Sequence, residues 1–149
     1  MRISLAFLAA LACGPAIAAP PPAIEKPEMA IAYRQSVYRM IRWNFAPMGD
    51  MVRGKRAWDG AAFAQHASRV AWLAQQLEEG YPVGSDRGAI TDAKPEIWAN
   101  WDDFLVKAKA ANDAAGALDV SSAEAIGAGM GALGGACKDC HTTYRMAKE

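Results

Sequence analysis

Two cysteines and a histidine near the C-terminal end constrain this 149-residue chain more than any other feature. Cys137, Cys140 and His141 occur in the order Cys-Lys-Asp-Cys-His, which is the pattern of covalent haem attachment. On a helix these positions are spaced i, i+3 and i+4, so all three side chains project from one face. Two thiols can then bond one porphyrin while the imidazole reaches its iron. The motif predicts one covalently attached haem c, with His141 as an axial iron ligand.

The same residues could also form a disulfide, a redox-active dithiol or part of a zinc site instead of binding haem. Two cysteines in an exported protein can form a disulfide, and a Cys-x-x-Cys pair can act as a redox dithiol. A zinc site would need a fourth ligand, and the only other histidine, His66, is expected at the surface or beside a haem propionate. We favour haem because the motif coincides with an export signal, a helical context and a mature chain that has no other cysteine.

The first 18 residues have the features of an export signal. Arg2 precedes an apolar run over 3–12 that is too short to span a bilayer, and residues 16–18 form a small-x-small cleavage sequence. We therefore predict a signal peptide over 1–18 and one mature domain over 19–149, which is not a membrane protein. Cys13 could be read as a lipoprotein cysteine, but Leu is missing three positions before it, which argues against lipidation.

Charge and side-chain composition exclude several function classes. The chain has 16 basic and 16 acidic residues, so it offers no basic surface for nucleic-acid phosphates. No paired carboxylates, nucleophile–base pair or phosphate-binding loop stands out. These observations favour a binding and redox protein over an enzyme, with no nucleic-acid partner.

Apolar residues recur at three- and four-residue spacing in four segments, which predicts four helices and no strands. The first helix begins at Glu28 and stops near Gly54, and Pro47 should kink or divide it near Ala46. Its apolar face includes Met40, one of four methionines in the segment.

The other helices have recognisable ends. The second follows the N-cap Asp59 and ends at Gly80, and residues 80–95 form a long ordered loop. The third begins at Pro95, and the fourth begins with a capping box, Ser-Ser-Ala-Glu, over 121–124.

Glycines are unusually frequent in the fourth helix, at Gly127, Gly129, Gly131, Gly134 and Gly135. Each costs about 1 kcal/mol of helix stability relative to Ala. A large group packed closely against the backbone, such as a haem, would explain the run. Four helices with mostly short connections predict an all-α, antiparallel four-helix bundle that holds the haem in its core.

With these residues identified, the sequence resembles the cytochrome c prime family, the high-spin branch of the class II c-type cytochromes. The resemblance covers nearly all of the mature chain and includes segments 33–36, 45–48, 51–55, 84–86 and 94–98, the haem motif, and Tyr144-Arg145. It implies a left-handed antiparallel four-helix bundle in the bacterial periplasm, and a homodimer. Trp43 and Trp58 are candidates for the dimer interface because aromatic residues concentrate at interfaces.

The resemblance also implies roles for residues outside the haem motif. Arg34 and Gln35, with the loop that carries Ser85 and Asp86, would lie near the haem edge and its propionates. Arg34 is a fixed cation suited to a carboxylate, and Asp86 would contribute through its backbone. Tyr38 occupies the position that shields the distal face of the haem. An ordinary tyrosine phenol titrates at about 10, so Tyr38 would block the iron rather than bind it. Simple core packing is the competing interpretation of Tyr38.

Three functions remain open from the sequence. The first is a five-coordinate haem protein that binds diatomic gases, nitric oxide and carbon monoxide. The second is a low-spin electron carrier of the cytochrome c-556 type, with Met40 or another first-helix methionine on the iron and a redox partner that the sequence does not identify. The third is a helical bundle without haem, in which the two cysteines form a disulfide.

Overall fold

A computed structural model describes residues 26–147, so the predicted signal peptide and Cys13 lie outside the described residues. The helices are α1 (Pro27–Val52), α2 (Gly60–Ala74), α3 (Glu96–Ala99), α4 (Trp101–Gly116) and α5 (Ala123–Tyr144). Between residues 26 and 147 the only β pairing is an isolated bridge between Ala93 and Arg145. The all-α prediction is confirmed: four long helices form an antiparallel bundle, in which α1 packs on α2, α2 on α4, and α4 on α5.

Helix α1 continues through its internal proline. We expected Pro47 to kink or divide the helix near Ala46, but α1 runs unbroken to Val52. Proline removes one hydrogen bond, and the carbonyl that loses its partner belongs to Trp43, a residue that is 77% exposed. The lost bond is therefore on the exposed side of the helix, while Met48 beyond the proline is fully buried. Burial on the core side therefore holds the helix together across the missing bond.

Helix α2 begins where predicted and ends earlier. The Asp59 carboxylate accepts a hydrogen bond from the Ala62 amide at 2.9 Å, which confirms the cap. The helix ends at Ala74 and not at Gly80, because the chain tightens into successive turns over 75–79. Gly80 then adopts φ +79°, and a Cβ there would lie 3.0 Å from the Cβ of Arg34. Glycine is needed at this point because the loop passes so close to α1.

The predicted third helix is divided in two. Pro95 caps the short helix α3, and Asn100 leaves the helical region at φ −126°, ψ 48° before α4 begins. The Asn100 side chain also donates to the Glu96 carbonyl at 3.1 Å, which closes α3. The break at Asn100 separates α3 from α4, which apolar spacing alone does not reveal.

Helix α5 starts one residue later than the predicted capping box. The Ser122 hydroxyl accepts from the Ala125 amide at 3.1 Å, so Ser122 is the N-cap. The predicted capping box between Ser121 and Glu124 is wrong. A capping box pairs the N-cap residue with the third residue after it, and Glu124 is only the second residue after Ser122.

Two buried clusters make up the core. The first cluster, toward the end of α1, contains Met48, Met51, Phe63, Ala67, Val70, Ala74, Ala115, Ile126, Met130 and Leu133. The second cluster, beside the long loop, contains Tyr81, Ile97, Phe104 and Tyr144. Across the described residues, none of the helices combines the length and the apolar character that a membrane span requires.

Candidate haem site

A cavity of about 980 Å³ lies between the two core clusters. This volume is at the upper end of the roughly 300–1,000 Å³ that is usual for small-molecule and cofactor sites. Both clusters contribute apolar walls: Val70, Ala74 and Leu133 from the first cluster, and Tyr81, Ile97, Phe104 and Tyr144 from the second. The bundle thus contains a large, mostly apolar site at the position where the sequence motif lies.

The two cysteines of the motif lie on the wall of this cavity. Cys137 packs against the first cluster and Cys140 against the second. Both are free thiols in this structure. Burial raises the pKa of Cys137, and burial raises the pKa of Cys140 to about 11. Two neutral, half-buried thiols one helical turn apart can therefore meet a single flat group from the same side.

His141 follows on the same wall, close to the end of α5. Burial, helped by the charge of Arg145, lowers the pKa of its imidazole. A neutral imidazole keeps a lone pair available for a metal. The end of the helix is anchored, because the Lys94 amide donates to the Tyr144 carbonyl at 3.0 Å and the Met146 amide donates to the Asp92 carbonyl at 2.8 Å.

Of the five glycines in α5, only Gly134 opens onto the cavity. Gly134 lines it, and a Cβ built at Gly134 would meet nothing within 4 Å. Gly127 and Gly131 are exposed, and a Cβ at Gly129 would lie 2.5 Å from Leu118. A bound group therefore accounts for Gly134, while close packing on Leu118 accounts for Gly129. A bound haem therefore does not explain all five glycines of α5, contrary to what we expected from the sequence.

Arg34 is a buried cation between α1 and the long loop, with 3% of its surface exposed. One guanidinium nitrogen donates to the Gly80 carbonyl at 2.8 Å and to the Ser85 hydroxyl at 2.9 Å. The other donates to the Ser85 carbonyl at 2.7 Å and to the Thr91 hydroxyl at 3.0 Å. Burial lowers its pKa, but an arginine stays protonated at this burial. Arg34 therefore fixes the loop and leaves a positive charge at the cavity wall.

The other residues predicted near the propionates are placed differently. Gln35 lines the cavity, and its amide donates to the Ile90 carbonyl at 2.8 Å. Ser85 is fully buried behind Arg34, and neither Ser85 nor Asp86 is among the cavity-lining residues. The structure thus brings Arg34 and Gln35 to the cavity and leaves the Ser85–Asp86 turn behind them.

The mouth of the cavity is rich in positive charge. Its lining includes Arg39, Arg42, Lys94, Lys107, Lys138 and Arg145, but only one acidic residue, Asp92. Lys107 is neutralised in part by Asp139, at 2.6 Å. The overall balance of charge in the sequence concealed this asymmetry, because the six cations are scattered along the chain. A cofactor with carboxylate groups suits such a site.

Tyr38 lies on the cavity wall, and it has an aromatic partner that sequence reasoning missed. Its hydroxyl is 3.0 Å from the hydroxyl of Tyr81, which follows Gly80 in the long loop. Both tyrosines line the cavity. No periodic pattern includes residue 81, so only the length of the loop indicated that a functional residue could lie in it.

The first-helix methionines are not at the cavity. Met40 is 46% exposed, and Met48 and Met51 belong to the first core cluster. Of the methionines in the described part of the chain, Met146 alone is a lining residue. His66 also lies away from the cavity, where its ring contacts the Asn44 side chain at 3.0 Å.

The donor set fits a covalently bound haem. The two thiols suit its vinyl groups, and the neutral imidazole suits its iron. The apolar walls suit the faces of the ring, and the cationic mouth suits the propionates. A helical bundle with such a site defines the class of protein, a c-type cytochrome with its haem motif on the last helix.

Comparison with known proteins places the chain within that class. The profile of a family described as Cytochrome C' matches residues 29–145. Cytochrome c' of Halomonas halodenitrificans is 35% identical over 129 residues, which cover 80% of this chain and 98% of the relative. Cytochrome c-556 of Agrobacterium fabrum is 31% identical over 118 residues, or 77% of this chain and 80% of the relative.

Solved structures of similar fold point to the same family. Cytochrome c prime from Shewanella frigidimarina has a TM-score of 0.79 and 38% identity, covering 83% of this chain and 99% of the other. A nitric oxide complex of a cytochrome c prime variant from Alcaligenes xylosoxidans has a TM-score of 0.74 and 30% identity, covering 84% of this chain and 99% of the other. The chain therefore belongs to the cytochrome c prime family, and its cofactor is covalently attached haem c.

A substitution at Gly134 tests the position of the cofactor. Leu at 134 would project into the cavity and compete with the haem ring, so we expect Gly134→Leu to lower the haem bound per polypeptide several-fold. Gly131→Leu is the matched control, because Gly131 is exposed and each change should favour the apoprotein helix by roughly 1 kcal/mol. The pyridine haemochrome assay gives the haem content, and equal, full occupancy in both variants would contradict this placement.

Proposed function

We propose that this protein is a high-spin cytochrome of the periplasm, whose five-coordinate haem binds diatomic gases such as nitric oxide and carbon monoxide. The observation that carries the proposal is the identity of the side chains around the cavity. Tyr38 lines it, whereas Met40, Met48 and Met51 do not. A phenol that stays protonated shields iron without binding it. Burial, followed by the neighbouring Tyr81 and its hydrogen bond, raises the pKa of Tyr38 well above its ordinary value.

We assign the haem contacts to residues of this chain as follows. Cys137 and Cys140 form the two thioethers, and His141 supplies the axial nitrogen. The buried charge of Arg34 attracts a propionate, and Gln35 stands next to it on the wall. Ser85 acts through Arg34, whose hydrogen bonds it accepts. Asp86 would take part only through its backbone, because a carboxylate side chain would repel a propionate.

The alternative function is electron transfer with a methionine as the sixth iron ligand. The similarity to a cytochrome c-556 supports this alternative. Met40 is the ligand that the sequence suggested, but its side chain is exposed and absent from the cavity wall. Met146 is on the wall, yet it follows His141 at the same end of α5. A sixth ligand would have to approach the ring from the face opposite His141, so Met40 and Met146 are both poorly placed.

The ferric spectrum tests the choice between these functions. We expect a high-spin optical and EPR spectrum, unchanged in Met40→Ala and Met146→Ala, because neither sulfur binds iron. The ferrous protein should bind carbon monoxide and nitric oxide. A low-spin spectrum with a methionine–iron charge-transfer band, lost in one of the two variants, would show the electron carrier instead.

Export to the periplasm is part of the proposal. It is supported by the apolar run over 3–12 and by the small-x-small sequence at 16–18. N-terminal sequencing of the protein from a periplasmic extract should give a start near Ala19. A start at Met1 would contradict export.

We further propose that two copies associate through α1 and α2. Trp43 on α1 and Trp72 on α2 are both more than half exposed, as is Trp58 in the connection between these helices. Exposed tryptophans are typical of surfaces that a partner covers, and these three lie on two helices that pack against each other or in their connection. Sedimentation should show a dimer for the native protein and a monomer for Trp43→Glu. Val106→Glu, which changes an exposed apolar residue on α4, is the matched control and should stay dimeric. A native monomer, or a Trp43→Glu dimer, would contradict the proposal.

A further inference from the structure

The two hydroxyls of Tyr38 and Tyr81 share one hydrogen bond, which leaves one hydrogen unused. They lie 3.0 Å apart, and either can be the donor. A tyrosine hydroxyl carries one hydrogen and can both donate and accept. Among the described residues neither hydroxyl has another hydrogen-bond partner. Two hydroxyls therefore bring two hydrogens, one lies between them, and the second remains available beside the cavity that both residues line.

Tyr81 is held more firmly than a loop residue usually is. Its backbone carbonyl accepts a hydrogen bond from the Trp98 indole at 3.0 Å. Its ring packs edge-on against Phe104, with centroids 4.8 Å apart. On the other side the Arg34 guanidinium lies 4.8 Å from the ring centroid. The Tyr81 hydroxyl is thus a fixed point to which the hydroxyl of Tyr38 can be aligned.

The pair has two possible arrangements, because either hydroxyl can be the donor. Burial raises the pKa of both phenols, so both keep their hydrogens. In the arrangement in which Tyr81 donates, the Tyr38 oxygen accepts and the unused hydrogen belongs to Tyr38. Tyr81 is the partner held in place by Phe104 and Arg34, so it can serve as the fixed donor.

We propose that Tyr81 is a positioning residue, which directs the hydroxyl of Tyr38 into the cavity as a hydrogen-bond donor to the outer atom of a bound diatomic ligand. The inference deepens the proposed gas binding and depends on it. Accepting a hydrogen bond polarises a hydroxyl and makes it a stronger donor, so Tyr81 acts through Tyr38 without touching the ligand. Ligands whose outer atom accepts a hydrogen bond well gain the most, so the pair sets ligand preference as well as affinity.

Carbon monoxide on the ferrous protein is the probe, because a donor at its oxygen lowers the C–O stretching frequency. We expect the lowest frequency in the native protein, a higher one in Tyr81→Phe, and the highest in Tyr38→Phe. The double variant should match Tyr38→Phe, because Tyr81 has no effect without Tyr38. One lost hydrogen bond should also speed dissociation of the ligand from Tyr38→Phe roughly 2- to 10-fold.

Tyr33→Phe is the matched control, since it removes a hydroxyl from an exposed tyrosine on the same helix, where the bond goes to Glu79. Its frequency should equal the native one. The native protein should also show a frequency shift in D₂O that is lost in Tyr38→Phe, which tests the donor even if Tyr81→Phe folds poorly. A Tyr81→Phe frequency equal to the native one, or lower, would overturn the role of Tyr81. If the protein is high-spin and binds carbon monoxide, but no tyrosine variant changes the C–O frequency, this inference alone is overturned. If the protein binds no carbon monoxide, the proposed gas binding is overturned as well.

Discussion

The interior of this bundle is divided by a cavity of about 980 Å³, and the packing on both sides depends on the group that fills it. Cys137 contacts one core cluster and Cys140 contacts the other, so a ring attached to both thiols joins the two halves. Apolar surface on the walls would otherwise face water, at a cost of about 25 cal/mol for each Å² exposed. Attachment of the cofactor is therefore a folding interaction as well as a functional one.

The second constraint is the buried charge of Arg34. Its guanidinium holds the loop after α2 through the Gly80 carbonyl, both oxygens of Ser85 and the Thr91 hydroxyl. Its hydrogen bonds go to neutral acceptors, and the nearby Asp86 carboxylate offsets only part of the cost of burying the charge, since burial still lowers the pKa of Arg34. An anionic propionate at the adjoining cavity would relieve that cost. The same loop carries Tyr81, so the residue that anchors the loop also fixes the wall of the ligand site.

The sequence was informative where a feature depends on local spacing or on a short motif. The haem motif, the cap at Asp59 and the four long helices could all be predicted, because each follows from residues that are close in the chain. Predictions failed where distant contacts decide the outcome. The continuity of α1 through Pro47 depends on burial beyond it, and α2 is followed by successive turns that end where Gly80 lies against α1. Tyr81 and the cationic mouth were missed because they are assembled from segments far apart.

The most direct test of this account is the intact mass of the mature protein, made in a host that attaches haem c. One haem should be present on each polypeptide, retained under denaturing conditions, with no free thiol at Cys137 or Cys140. Replacing either cysteine by Ala should leave one thioether, and replacing both should remove covalent haem entirely. A mature chain that carries no added mass, with the two cysteines free or joined in a disulfide, would contradict the account.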